Sequence, residues 1–332
     1  MDAHLGIRRL AWIAAAFALF VIVFGAFVRL SNAGLSCPDW PTCYGQVAWP
    51  TASHEIASAN AAFPERPVES DKAWREQVHR FLAGGLIVTT FALAIWTWRR
   101  RSQLDGLARV PLVAAAFILF QAALGMWTVT WKLKPIVVMG HLLGGITIFA
   151  LLAYTALRLT LRERGGAQTA TLRRMVIAGI VLLACQIALG GWTSANYAAL
   201  ACGTDFPTCL SQWFPHTDFR EAFVLWRGIG VNYEGGVLDA PARTAIQLTH
   251  RLGALIVFVY LLVLAAASMR QRALRVGGIA LGLLLLLQVS LGIGNVVLGL
   301  PLAVAIAHNG VASLLLFALL ALLVRLRSAV LR

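Results

Sequence analysis

The sequence predicts an all-α membrane protein whose eight transmembrane helices form two pseudo-symmetric four-helix bundles. Three observations carry that reading. A composition of 59% hydrophobic and 13% charged residues over 332 positions, with a mean hydropathy of +0.77, leaves too little polar surface to wrap a water-soluble fold of this length. Eight apolar runs approach the roughly 20 residues that a helix needs to cross a hydrocarbon core. Residues of the first half recur in the second at a near-constant offset, the signature of an internal repeat.

The first run, 11–28, follows Arg8 and Arg9 as a secretory leader would. It is longer than a leader's apolar segment, and the RLSNAGLSCPDW that follows offers no small-x-small cleavage site, so it reads as a retained helix. An outer loop with Cys37 and Cys43 leads to the second run, 78–98, which opens on His79 and closes at Arg99–Arg101. The third, 110–130, holds QAALG at 121–125, and the fourth, 136–158, holds His141. The order then repeats: 175–193 with QIALG at 186–190, a long loop over about 194–244 with Cys202 and Cys209, 245–267 with His250, 275–297 with QVSLG at 288–292, and 301–324 with His308. FVIVFGAFVRLSNAGLSCPDWPTC at 20–43 corresponds to CQIALGGWTSANYAALACGTDFPTC at 185–209. Four helices separate the copies, an even number, so both halves enter the membrane from the same side. The halves are expected at 1–165 and 166–332, each a four-helix bundle.

Lys and Arg set the orientation. With a cytoplasmic N-terminus, one face holds Arg8, Arg9, Arg99–Arg101, Arg109, Arg158, Arg162, Arg164, Arg173, Arg174, Arg270, Arg272, Arg275, Arg325, Arg327 and Arg332, against only Asp2, Asp105 and Glu163. The whole formal charge of +14 thus lies on one side, and the pI of about 10.7 reports topology; no nucleic-acid partner is expected. Both termini are placed in the cytoplasm. No Arg- and Ser-rich, acid-poor transit segment precedes the first helix, which favours a bacterial inner (plasma) membrane, with lipid as a constant partner.

Cys37/Cys43 and Cys202/Cys209 fall in the long outer loops, where thiols oxidise, and two disulfides are the natural reading. Spacing alone leaves a structural staple and a redox role equally open. Cys185 stands alone in the fifth run and is expected to be a small core residue.

His79 and His250 lie 171 residues apart, His141 and His308 167 apart, each near the outer end of its helix. A single intramembrane histidine is often satisfied by a neighbouring helix. Four at duplicated positions point to bound metal, and paired imidazoles on facing helices of a bundle most readily mean heme. Nearby glycines, Gly84, Gly85, Gly140, Gly144 and Gly145 with Gly253 and Gly310, would let a flat macrocycle approach the backbone. His4, His54 and His216 have no repeat partners and are expected to be solvated. Glu76 precedes His79 by three residues and shares its helical face; the second half has Gln247 there. A carboxylate at that point can act as a base or stabilise a developing cation, which an amide cannot. A bland pairing of Glu76 with Arg75 or Arg80 remains the alternative. Arg80 and Arg251, beside the histidines, suit heme propionates or simple snorkelling equally.

Taken together, ExxHR in the second helix, QxxHR in the sixth, single histidines in the fourth and eighth, cysteine pairs in the first and third outer loops and the GLSCPDWPTC run at 34–43 resemble the heme A synthase family over nearly the whole chain. The resemblance implies oxidation of the C8 methyl of heme O to formyl by successive hydroxylations, for cytochrome c oxidase assembly. It implies that His79 and His141 hold substrate heme O, that His250 and His308 hold a resident heme b that passes electrons, and that Glu76 is catalytic. Implied partners are heme O and heme A, a heme O synthase, oxidase assembly factors and an unidentified electron donor or acceptor. The competing reading is a noncatalytic bis-histidine heme b protein, an electron conduit or heme transporter. All four histidines at one face argue against a conduit, and helix interiors free of midplane charge argue against a transporter.

Overall fold

The computed structural model describes residues 2–161 and 170–327. Arg162, Glu163, Arg164 and Arg332, and the expected boundary between the halves at 165/166, lie outside the described residues. Within them, eight helices are long and apolar enough to span a membrane. They are α1 (Asp2–Leu30), α3 (Ser70–Arg99), α4 (Arg109–Thr130), α5 (Pro135–Arg158), α6 (Ala170–Ala195), α8 (Ala240–Met269), α9 (Arg275–Val297) and α10 (Leu302–Arg325), with two short outer helices, α2 (Ser53–Ala62) and α7 (Phe219–Ala222). The spans match the eight apolar runs. Two begin well before the apolar residues do. α3 starts at Ser70, with Asp71 in its first turn beside the positive end of the helix dipole, and α8 starts at Ala240 behind Asp239, whose side chain caps Ala242 N. These extra turns carry Glu76 and His79, and Gln247 and His250, on rigid helix rather than on loop.

α1, α3, α4 and α5 pack as a closed ring of neighbours, and so do α6, α8, α9 and α10; α1 and α5 face α6 and α10 between them. This packing is compatible with two four-helix groups. Eight crossings bring the start of α1 and the end of α10 to one face of the membrane, and the long loops occupy the distal face.

The buried apolar core is weighted toward the face that carries the termini. It draws on Ala11 and Ala14 of α1, Leu152 and Ala156 of α5, Val176 of α6, Leu261 and Leu264 of α8 and Leu319 and Leu322 of α10. Buried hydroxyls there are satisfied within their own helices, Thr90 to Leu86 O and Ser268 to Leu264 O. The distal halves of the bundles hold the histidines instead. There the groups are joined by Arg29 at the end of α1, which donates to Ser194 O at 2.7 Å and to the Tyr197 hydroxyl at 3.1 Å. Cys185 is exposed and unbonded, which corrects the expectation of a core residue. Gln186 and Gly190 of the same helix turn inward to His250, and this rotation puts Cys185 on the outside.

Candidate functional site

Each of the four histidines packs against a glycine of the neighbouring helix. A methyl group at Gly25 of α1 would lie 2.8 Å from His79 Cε1 of α3; at Gly125 of α4, 3.1 Å from His141 of α5; at Gly190 of α6, 3.2 Å from His250 of α8; and at Gly292 of α9, 3.1 Å from His308 of α10. The arrangement is the same in both halves, ring for ring. α3 and α5 stand at opposite corners of their ring, as do α8 and α10, so the two imidazoles of each half come from diagonal helices.

Three of the rings also meet a glutamine. Gln121 Nε2 lies 3.0 Å from His141 Nδ1 and 2.7 Å from the His141 carbonyl. Gln186 Nε2 lies 3.0 Å from both equivalent atoms of His250, and Gln288 Nε2 lies 3.2 Å from His308 Nε2. These are the first residues of the QAALG, QIALG and QVSLG sequences, in which Gln and Gly four apart occupy one helical face. The pattern is visible in the sequence; its histidine partners are not, because that requires the relative rotation of two helices. The glycines singled out beside the histidines have other neighbours. Gly85 meets Phe17, Gly144 and Gly253 meet the Gln121 and Gln186 amides, and Gly310 meets Val23, whereas Gly84 faces open space.

A heme fits this donor set. Two imidazoles per half could serve as iron ligands, a Cβ at the facing glycines would obstruct the rings, and the Oε1 atoms of Gln121, Gln186 and Gln288 are all buried without a partner. An unpaired buried acceptor costs about 1–3 kcal/mol. An imidazole that binds iron through Nε2 carries its proton on Nδ1; turning the Gln121 or Gln186 amide would present its oxygen to that proton in exchange for the bond to the histidine carbonyl, whereas Gln288 lies at the other ring nitrogen of His308. Among the described residues, no three His, Cys, Asp or Glu side chains gather around a bare ion.

Glu76 is buried at 4% exposure. Its Oε1 accepts from Arg80 Nη2 at 2.6 Å and its Oε2 accepts from Cys37 N at 2.9 Å. The pairing is with Arg80; Arg75 pairs with Asp71. Gln247 is equally buried in the second half, with its Oε1 unpartnered. Arg80 also donates from Nη1 to the carbonyls of Asp39 at 2.9 Å and Thr42 at 2.5 Å. Arg251 makes the matching bonds to Thr208 O at 2.8 Å and Asp205 O at 2.9 Å. Both arginines therefore hold the disulfide loops over the histidines. Arg251 Nε is a buried donor left without an acceptor. The disulfides Cys37–Cys43 and Cys202–Cys209 form as expected. Asp39 closes its loop by accepting from Tyr44 N and Gly45 N, and Asp205 does so from Ser211 N. His4, His54 and His216 are exposed.

The long third loop reaches across to the first half. Tyr233 N donates to Lys132 O at 3.0 Å, and the Tyr233 ring is buried with Leu35, Val129 and Leu133. Glu234 accepts from both terminal nitrogens of Arg66 at 2.8 and 3.0 Å, and its carboxylate holds the Arg66 guanidinium above its ordinary pKa. Trp226 packs edge-on to Trp131 with its face 3.2 Å from the fully buried Lys134 ammonium. Burial lowers the pKa of that ammonium.

These features define a multi-pass helical membrane protein with two partly buried histidines in each half, one of them a turn away from a buried carboxylate. The chain belongs to the cytochrome oxidase assembly protein family, whose model matches residues 8–320. It is 46% identical over 305 residues to a heme A synthase of Shewanella oneidensis, covering 91% of each chain. It is 29% identical over 320 residues to one from Rhizorhabdus wittichii, covering 90% of this chain and 88% of the other, and 26% identical over 302 residues to one from Bacillus licheniformis, covering 87% and 86%.

Proposed function

We propose that this protein is a heme A synthase of a bacterial inner membrane, with both termini cytoplasmic, oxidising the C8 methyl of heme O to formyl by successive hydroxylations. The observation that carries the reading is the duplicated imidazole-on-glycine geometry with a buried carboxylate in one half where the other has an amide, Glu76 against Gln247. The first half, with His79, His141 and Glu76, takes the substrate. The second, with His250 and His308, takes a resident heme b, which supplies one-electron transfer when bound.

Conversion of methyl to formyl exchanges two hydrogens for one oxygen atom, a four-electron oxidation, so an oxygen source (water or dioxygen) and an external redox partner are both required; a heme O synthase and oxidase assembly factors complete the set of partners. Glu76 lies one turn outward of His79 on the same face of α3. An ionised carboxylate offers about four acceptor positions, and Arg80 and Cys37 N take two. Those two bonds fix its direction, and the remaining lone pairs are available to a proton or a developing cation at the substrate edge. Arg80 and Arg251 keep the disulfide loops closed over the sites, and the free Arg251 Nε–H can take a propionate oxygen. The tail of the third loop, anchored by Tyr233, restricts water at the distal mouth of the first half.

Pigment extraction from protein produced alongside a heme O-forming enzyme tests the reading. Heme O and heme A beside heme b are expected. Heme b alone would point to the noncatalytic electron conduit.

A further inference from the structure

His79 lacks the support that the other three histidines share. Four residues before Gly125, Gly190 and Gly292 stand Gln121, Gln186 and Gln288; four residues before Gly25 stands Val21. His79 Nδ1 is buried without a hydrogen-bond partner, as is His308 Nδ1, but no glutamine meets either nitrogen of His79, and the ring instead lies nearly parallel to Phe24, with centroids 6.4 Å apart and planes 15° apart. The other half of the device is missing as well. Gly144 and Gly253, three residues after His141 and His250, leave the space that the Gln121 and Gln186 Oε1 atoms fill; the residue three after His79 is Leu82. His308 is intermediate. It keeps Gln288, bonded to the opposite ring nitrogen, with Val311 at the place of the glycine.

An acceptor on the distal nitrogen of a metal-bound imidazole fixes its tautomer and ring plane and raises its basicity, and losing it typically costs 10–100-fold in affinity. In the second half both rings meet a glutamine, His250 at Nδ1 and His308 at Nε2. The first has one braced and one unbraced, as suits a macrocycle that must leave after each turnover.

We propose that His79 is the exchangeable axial ligand of the first half, that His141, positioned by Gln121, is the anchoring one, and that substrate enters and product leaves through opening of the His79 bond. This rests on the reading of the four histidines as iron ligands, and the test separates the two claims. Detergent-purified protein loaded with ferric heme O is examined by electron paramagnetic resonance and by the rate of heme O transfer to apomyoglobin; low-spin heme b in the second half serves as the folding control for every variant. His79→Ala is expected to retain heme O as a high-spin species, His141→Ala to lose it, and Gln121→Leu to stay low-spin while releasing heme O about 10–100-fold faster. Equal loss of heme O from His79→Ala and His141→Ala, or an unchanged release rate and spectrum in Gln121→Leu, would overturn the proposal while the ligand reading stood. Unchanged heme O signals in both histidine variants would overturn the ligand reading and the proposal with it.

Discussion

Gly190 and Gly84 are both helical glycines near a histidine, and the structure gives them opposite consequences. A methyl at 190 would meet His250 Cε1 at 3.2 Å, whereas a methyl at 84 meets nothing within 4 Å on the protein. Gly190→Ala should therefore push the imidazole off its axis and weaken heme b binding by roughly tenfold or more, on the scale of losing a supporting contact to a metal ligand. Gly84→Ala should leave heme b unchanged and raise helix stability by about 0.5–1 kcal/mol. Heme b stoichiometry from pyridine hemochrome spectra checks both; full heme b in Gly190→Ala would remove the glycine cradle from the account. The sequence exposed the glycines and the Gln-to-Gly spacing but not which glycine meets which ring. Nor did it show Glu76 bonded to Cys37 N, a contact across 39 residues of chain that no local periodicity reports.

At the scale of the element, the spans were the most legible part of the chain, since each is a long apolar run whose length the bilayer dictates. Their outer ends were not, because the turns carrying Trp74, Glu76 and Gln77 are polar and become helix through capping, the dipole and packing under the disulfide loop. The loops were legible as disulfide-bearing segments from compartment and cysteine placement, while the Arg80 and Arg251 clamps on their carbonyls emerge only in three dimensions. Mass spectrometry of membranes alkylated before lysis should find Cys37, Cys43, Cys202 and Cys209 unlabelled and Cys185 labelled once the protein is exposed to a lipid-soluble alkylating agent. Labelled loop cysteines would contradict an oxidising distal face.

Across the whole molecule, the loop of the second half is built into the first. Burying an aromatic side chain removes 150–250 Å² from water at about 25 cal/mol per Å², whereas a partly exposed ion pair contributes about 0.2–1 kcal/mol. Tyr233 rather than Arg66–Glu234 therefore holds the strap. Tyr233→Ala should raise protease cleavage within 223–238 several-fold and Arg66→Gln much less; the reverse order would mean that the ion pair carries the attachment.

The two halves share their helices, histidines and disulfide loops, and the proposed division of work between them rests on Glu76, so its removal is the most direct test. Glu76→Gln preserves side-chain volume, retains an oxygen for one of the two bonds and reproduces the residue at 247. The pigment inventory of that variant, made alongside a heme O-forming enzyme, should show heme b at its wild-type level, accumulated heme O, and heme A production reduced by about a hundredfold to ten-thousandfold. Heme A near the wild-type level with heme b intact would contradict the assignment of the chemistry to Glu76 and the first half.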